Sequence, residues 1–230
     1  MNIKHIFFDL DRTLWDFEKN SKITLTEIID SLDLISKGVD SAENFMSKYR
    51  IHNERLWNLY RDNKITKDIL RSERFLLTLQ EYNIFDTKLA DTFGNEYIKR
   101  SPLKTALFPF TLEVLTYLSK SYNLHIITNG FQEVQHIKLS NSNIGDYFNL
   151  VLTSEEAGVK KPDVTIFNYA LNKVKAKNYE SIMIGDDLYA DIQGASRAGI
   201  KGIYFNPKNI KHSENVWKEI GCLSELMNLL

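Results

Sequence analysis

Cysteine is almost absent from this sequence: Cys222 is the only one in 230 residues. No intrachain disulfide can form, which excludes the disulfide-held secreted scaffolds and fits a reducing compartment. Charge of one sign is not in excess either, with 29 basic against 30 acidic side chains, a net charge of −1, and no basic stripe or tail. That argues against a nucleic-acid polymer as partner, which needs clustered positive charge. No apolar run approaches the roughly 20 residues that span a bilayer. The first apolar run stops at Asp9 without a small-residue cleavage site, so neither a membrane anchor nor a secretory signal is expected. Five histidines, His5, His52, His125, His136 and His212, are scattered without zinc-site spacing. A soluble cytoplasmic protein, monomeric or a small homo-oligomer, is the expectation.

What is there reads as an ordinary globular chain, 43% hydrophobic and 26% charged. Its length suits one large domain or a core with an insert. Ile3 to Leu10 is a continuous apolar run, as in a strand covered on both faces. From about Phe17 to about Lys99 the periodicity is helical: Phe45, Tyr49, His52, Leu56 and Leu59 make one stripe, and Ile69, Leu70, Leu76, Leu77 and Leu79 populate another segment. Gly38-Val39-Asp40-Ser41 reads as a turn between helices, with Asp40 or Ser41 as N-cap. Ser101-Pro102 and Phe108-Pro109 interrupt that pattern.

Strands and helices then alternate. Strands are expected at 123–128, 150–153, 181–184 and 202–205, with helices at 111–120, 131–139, 164–174 and 188–198. This alternation predicts a doubly wound α/β fold with a parallel sheet. The expected division is a core of residues 1–14 and 102–230 with a helical insert at 15–101.

Chemistry-bearing residues fall at the carboxyl ends of the expected strands, where open α/β sheets bind ligands. The first strand runs into Asp9-Leu10-Asp11-Arg12-Thr13. Period-two alternation lets Asp9 and Asp11 face the same way, and two carboxylates that close repel unless a cation sits between them. A hard divalent ion with oxygen ligands, Mg²⁺ above all, resolves that conflict. Further on stand Thr128-Asn129-Gly130, Lys161-Pro162-Asp163 and Gly185-Asp186-Asp187. Each alone reads equally well as a turn, a helix start or a cap. Together and in order they point to a site.

That ordered set resembles the haloacid dehalogenase (HAD) superfamily over the whole chain. Asp9-Leu10-Asp11-Arg12-Thr13 is similar to its first motif, Thr128 to its second, Lys161 to its third, and Gly185-Asp186-Asp187-Leu188-Tyr189-Ala190-Asp191 to its fourth. The insert between the first two resembles a C1-type cap. Leu14-Trp15-Asp16-Phe17 and the stretch Thr128 to Gln135 most resemble the YjjG-type pyrimidine 5′-nucleotidases.

The resemblance implies a Mg²⁺-dependent phosphomonoester hydrolase. Asp9 would be the nucleophile and form an aspartyl-phosphate, and Asp11 the general acid and base. Lys161 would neutralise charge on Asp9 and the phosphoryl group. Thr128 and the Asn129 amide would bind phosphate oxygens. Mg²⁺ would be held by Asp9, the Asp11 carbonyl and Asp186, with Thr13, Asp187 and Asp191 in support.

Other readings share the fold. A hydrolytic dehalogenase needs neither the metal nor an acid at Asp11. A phosphomutase shares every core motif, and a non-catalytic binding protein can use the same scaffold. Substrate choice is expected from the insert, which closes over the site. Aromatics there and near the nucleophile could stack on a base, Trp15 and Phe17 foremost, whereas Phe45 and Tyr49 read as core packing. Pyrimidine nucleoside monophosphates are the expected substrates. The alternative is a sugar phosphate or phosphoglycolate.

Overall fold

Ile6, Phe7 and Phe8 have no exposed surface, and their alternation explains the architecture. Ile6 and Phe8 pack with Leu124, Ile126, Ile182 and Ile184 on one side of a sheet. Phe7 packs with Ile127, Phe167 and Met183 on the other. A strand buried on both faces needs helices above and below it.

The computed structural model describes residues 2–230. Strand β1 (His5–Phe8) is followed by helices α1 (Phe17–Ser31), α2 (Ala42–Arg61), α3 (Lys67–Gln80) and α4 (Thr87–Arg100). Then come α5 (Thr111–Leu118), β2 (Asn123–Thr128), α6 (Gln132–Asn141), β3 (Phe148–Thr153), α7 (Ser154–Ala157), α8 (Val164–Lys173) and β4 (Ser181–Gly185). A π-helical turn, Leu188–Gln193, runs into α9 (Gly194–Arg197), and β5 (Lys201–Phe205), β6 (Lys218–Ile220) and α10 (Leu226–Leu229) complete the order.

Among the described residues the strands form one sheet in the order β3-β2-β1-β4-β5-β6, every neighbouring pair parallel. The order turns back at β1, so the crevice lies at the carboxyl ends of β1 and β4. β6 was not expected. It is a three-residue edge strand with two exposed positions, too short to carry a periodic signal. No helix of the described residues is long and apolar enough to cross a membrane.

The chain divides into two units, one of residues through Phe17 with Thr105–Leu230, the other Glu18–Lys104. The division falls three residues later than 14/15 and 101/102. Phe108 N–H donates to Leu14 O, Asp16 N–H donates to Ala106 O, and Trp15 bridges to Leu107, which holds residues 15–17 in the sheet-containing unit.

The helical unit packs around stacked rings: Phe75 lies 4.5 Å from Phe93 and 5.2 Å from Tyr49, and Phe45 lies 5.4 Å from Phe93. Phe45 and Tyr49 are therefore core residues. Ser41 caps α2, accepting from Asn44 N–H, and Thr66 and Asp86 cap α3 and α4 in the same way. The buried stripe of α2 continues through Asn53, Leu56 and Tyr60 rather than His52 and Leu59. Asn53 is drawn inward because its Oδ1 accepts from the buried Arg74 at 2.8 Å and from Tyr49 at 3.2 Å.

Candidate active site

β1 delivers Asp9 one residue past its last sheet position, and Asp9 N–H still donates to Ile184 O on β4 at 2.9 Å. The chain then turns sharply. Leu14 and Trp15 both donate to Leu10 O, and Arg12 takes a left-handed backbone with φ of 66°. Such a conformation is uncommon outside glycine and belongs to a turn held by its surroundings. Arg12 then lies 4.4 Å from the centre of the Phe17 ring.

Lys161 is the hub of the buried charges. Its Nζ donates to Asp9 Oδ1 at 2.6 Å and to Ile127 O at 2.7 Å, and pairs ionically with Asp191 Oδ1 at 2.6 Å. Asn129 fixes the backbone there: its Nδ2 donates to Lys161 O at 2.9 Å while Lys161 N–H donates to Asn129 Oδ1 at 2.8 Å. Burial pulls the Lys161 ammonium down, but Asp191 and Asp9 outweigh it and raise it above the ordinary lysine range.

The carboxylates move the other way. Burial pushes Asp9 up to about 7 despite Lys161, with Asp191 adding to the rise. Burial raises Asp186 well above the ordinary range, helped by the charges of Asp9 and Asp191. Asp191 is also raised by burial, with Lys161 opposing. Asp9, Asp186 and Asp191 each present an oxygen within 4.8 Å of the others. Two buried carboxylates, Asp9 and Asp191, thus share one buried ammonium, with the half-buried Asp186 beside them, and hard oxygen donors with unneutralised charge suit a divalent cation such as Mg²⁺.

The supporting residues divide by task. Thr13 Oγ1 donates to Asp186 Oδ1 at 3.3 Å. Asp187 caps the π-helical turn, accepting from Tyr189 and Ala190 N–H at 3.0 and 2.9 Å. Asp191 receives Asp187 N–H on Oδ2 at 3.1 Å while its other oxygen meets Lys161.

Asp11 is not part of the three-carboxylate group. Its Oδ2 accepts from Gln135 Nε2 at 2.8 Å and its Oδ1 from Lys138 Nζ at 2.5 Å. Gln135 also donates to Thr128 Oγ1 at 2.7 Å, and Gly130 N–H donates to the same oxygen at 3.0 Å. Sequence reasoning missed Gln135 and Lys138 as site residues. The one signal for them was that a helix opening just after Thr128-Asn129-Gly130 carries polar residues where its buried face must lie.

The aromatic expectation needs correction at Trp15. It has no exposed surface, lies in the core beside β1 and carries Lys138 Nζ 4.2 Å from its ring centre. Its face is occupied, so it offers no platform for a base here. Phe17 is half-buried, with Arg12 on its ring and Trp15 at its edge.

A parallel sheet with acids just past the ends of its two central strands, and a buried lysine joining Asp9 to Asp191, is a carboxylate–lysine site of the Rossmann-like class. The family model described as haloacid dehalogenase-like hydrolase matches residues 6–205, and the chain belongs to that family. The pyrimidine 5′-nucleotidase YjjG of Escherichia coli K12 is 31% identical over 229 residues, 98% of this chain and 96% of that protein. A glyceraldehyde 3-phosphate phosphatase of Methanothermobacter thermautotrophicus is 31% identical over 206 residues, 89% of this chain and 86% of that protein. In fold, the chain is similar to the HAD-hydrolase YfnB of Bacillus subtilis, a structure bound to magnesium: TM-score 0.91 at 24% identity, covering 100% and 99% of the two chains.

Proposed function

We propose that this hydrolase cleaves phosphomonoesters through an aspartyl-phosphate on Asp9, with Mg²⁺ as cofactor and pyrimidine nucleoside 5′-monophosphates as preferred substrates. The observation that carries the reading is the Lys161–Asp9–Asp191 cluster at the crevice end of the sheet. A nucleophilic carboxylate beside a fixed ammonium, next to Thr128 and Asn129, is what phosphoryl transfer requires. That reaction is catalysed mainly by positioning and charge stabilisation.

In the first step an Asp9 oxygen forms a bond to phosphorus as the bond to the leaving oxygen breaks, and Asp11 gives that oxygen its proton. In the second step water attacks the phosphorus of the aspartyl-phosphate. Its proton goes to Asp11, the phosphorus–Asp9 bond breaks, and inorganic phosphate leaves. Asp11 ends as it began. Thr128 Oγ and the Asn129 backbone N–H bind phosphoryl oxygens, and Lys161 neutralises charge between Asp9 and the transferred group. Asp9 and Asp186, with Asp191 near them, would hold Mg²⁺, which supplies positive charge against the phosphoryl oxygens when bound.

The nucleotide assignment rests on the nearly full-length similarity to the YjjG nucleotidase. A second reading, a sugar-phosphate phosphatase, is favoured by the glyceraldehyde 3-phosphate phosphatase at the same identity and by the covered face of Trp15. Phosphate release from a panel of nucleotides, sugar phosphates and phosphoglycolate, with and without Mg²⁺, separates them. The highest kcat/KM is expected on UMP, dUMP or dTMP with Mg²⁺. A preference for glyceraldehyde 3-phosphate would install the second reading, and isomerised sugar phosphate without released phosphate would indicate a mutase.

A further inference from the structure

We propose that Lys138 and Gln135 are positioning residues that fix the Asp11 carboxylate for proton transfer at the leaving oxygen. The inference deepens the function proposed above and rests on its reading of Asp11.

Both oxygens of Asp11 are engaged, Oδ2 by Gln135 at 2.8 Å and Oδ1 by Lys138 at 2.5 Å. The two donors sit three residues apart on α6 and so share a face. Gln135 is wholly buried and Lys138 is 5% exposed. Burying an ammonium is costly unless its charge is matched. Here it is matched by Asp11 and by the face of Trp15, 4.2 Å away. Core packing from this part of α6 is supplied by Leu139, so packing gives no reason for a lysine at 138.

Gln135 does a second thing. The same Nε2 that donates to Asp11 donates to Thr128 Oγ1 at 2.7 Å. One amide thereby ties the candidate phosphate-binding hydroxyl to the proton-transfer carboxylate. Gly130 makes room for it, since a β-carbon there would stand 2.2 Å from Gln135 Nε2. The effect on Asp11 is one of orientation: with both oxygens pinned, rotation of the carboxyl group is blocked, while each oxygen keeps a second lone-pair site at which the transferred proton is carried. A displacement of about 1 Å in a reacting group costs on the order of 100-fold.

The test measures kcat/KM with Mg²⁺ across phosphomonoesters whose leaving groups run from p-nitrophenol to alkyl alcohols. A good leaving group departs without a proton, so a misplaced donor matters little for it, whereas a purely structural defect lowers all substrates alike. Lys138→Met is expected to lose about 100-fold on alkyl esters and less than about fivefold on p-nitrophenyl phosphate. Lys138→Arg should recover most of the loss. Should Lys138→Met not fold by circular dichroism, Gln135→Leu carries the same comparison. Equal losses on all leaving groups, or no loss, overturn the inference. Asp11→Asn is the control: if it shows leaving-group dependence and the Lys138 and Gln135 variants do not, positioning alone fails. If Asp11→Asn shows none, the reading of Asp11 as proton donor fails with it.

Discussion

A β-carbon on Gly185 would stand 2.2 Å from Oδ2 of Asp191. The glycine that ends β4 is therefore a condition for the contact between Asp191 and Lys161. Gly185→Ala should push the Asp191 carboxylate away from Lys161, lowering kcat/KM at least about tenfold and stability by about 1–3 kcal/mol, as overpacking does. Steady-state kinetics and denaturant melts measure both. A fully active variant of unchanged stability would show that Asp191 can move without consequence.

Metal removal and pH are linked through Asp9. In the metal-free protein burial lifts Asp9 from 3.8 to about 7. Between those values the folded chain keeps a proton that the unfolded chain has released, so the stability of metal-free protein falls as pH rises through that window. Mg²⁺ takes the ionised form. Its addition should raise Tm more at pH 7 than at pH 5 and release a proton on binding. Calorimetry in buffers of different ionisation enthalpy measures that release. Asp186→Asn should abolish the Mg²⁺-dependent rise in Tm.

His125 titrates in the opposite sense. It is 1% exposed, and burial first, then the neighbouring His5, pushes it down to about 4. His5 Nδ1 and His125 Nε2 lie 3.1 Å apart, so the pair shares one proton between them. The unfolded chain takes up a proton near 6.5 that the folded chain refuses until about 4. Stability from this residue is therefore fully present above about 6.5 and lost on acidification towards 4. The loss is about 3 kcal/mol for a shift of that size. Chemical denaturation of the wild type and His125→Met from pH 4 to 7 isolates it: towards the acid end the wild type should lose about 3 kcal/mol relative to the variant.

In the helical unit, Asn53 Oδ1 accepts a hydrogen bond from Arg74, a residue only 3% exposed whose guanidinium lies 5.0 Å from the rings of Phe75 and Tyr97. Removing that acceptor leaves a buried charge short of a partner, at a cost of about 1–3 kcal/mol. Asn53→Leu is expected to lower Tm, while the volume-matched core change Leu56→Met should cost less than about 1.5 kcal/mol. Thermal melts of the two variants compare them.

The central strands were legible in the sequence because their signals are local. A run buried on both faces is continuously apolar, and acids or hydroxyls follow at once where each strand ends, as at Asp9, Thr128 and Asp186. The rest depended on distance. Lys138 on a helix reads as solvated until folding lays it against Asp11, 127 positions away in the chain. Trp15 reads as a pocket aromatic from its nearness to Asp9, yet the turn at Arg12 folds it back into the core. Asn53 displaced His52 from the buried stripe of α2 because its side chain meets Arg74 on a different helix, which periodicity within α2 cannot report. β6 is set by pairing with β5, a long-range choice made on three residues.

The most direct test is to stop the enzyme during turnover with radiolabelled phosphomonoester and Mg²⁺ and map the bound label by peptide mass spectrometry. The label should reside on Asp9 as an acyl phosphate that hydroxylamine removes, and it should vanish in Asp9→Asn. Label on any other side chain, or steady turnover by Asp9→Asn, would contradict the account.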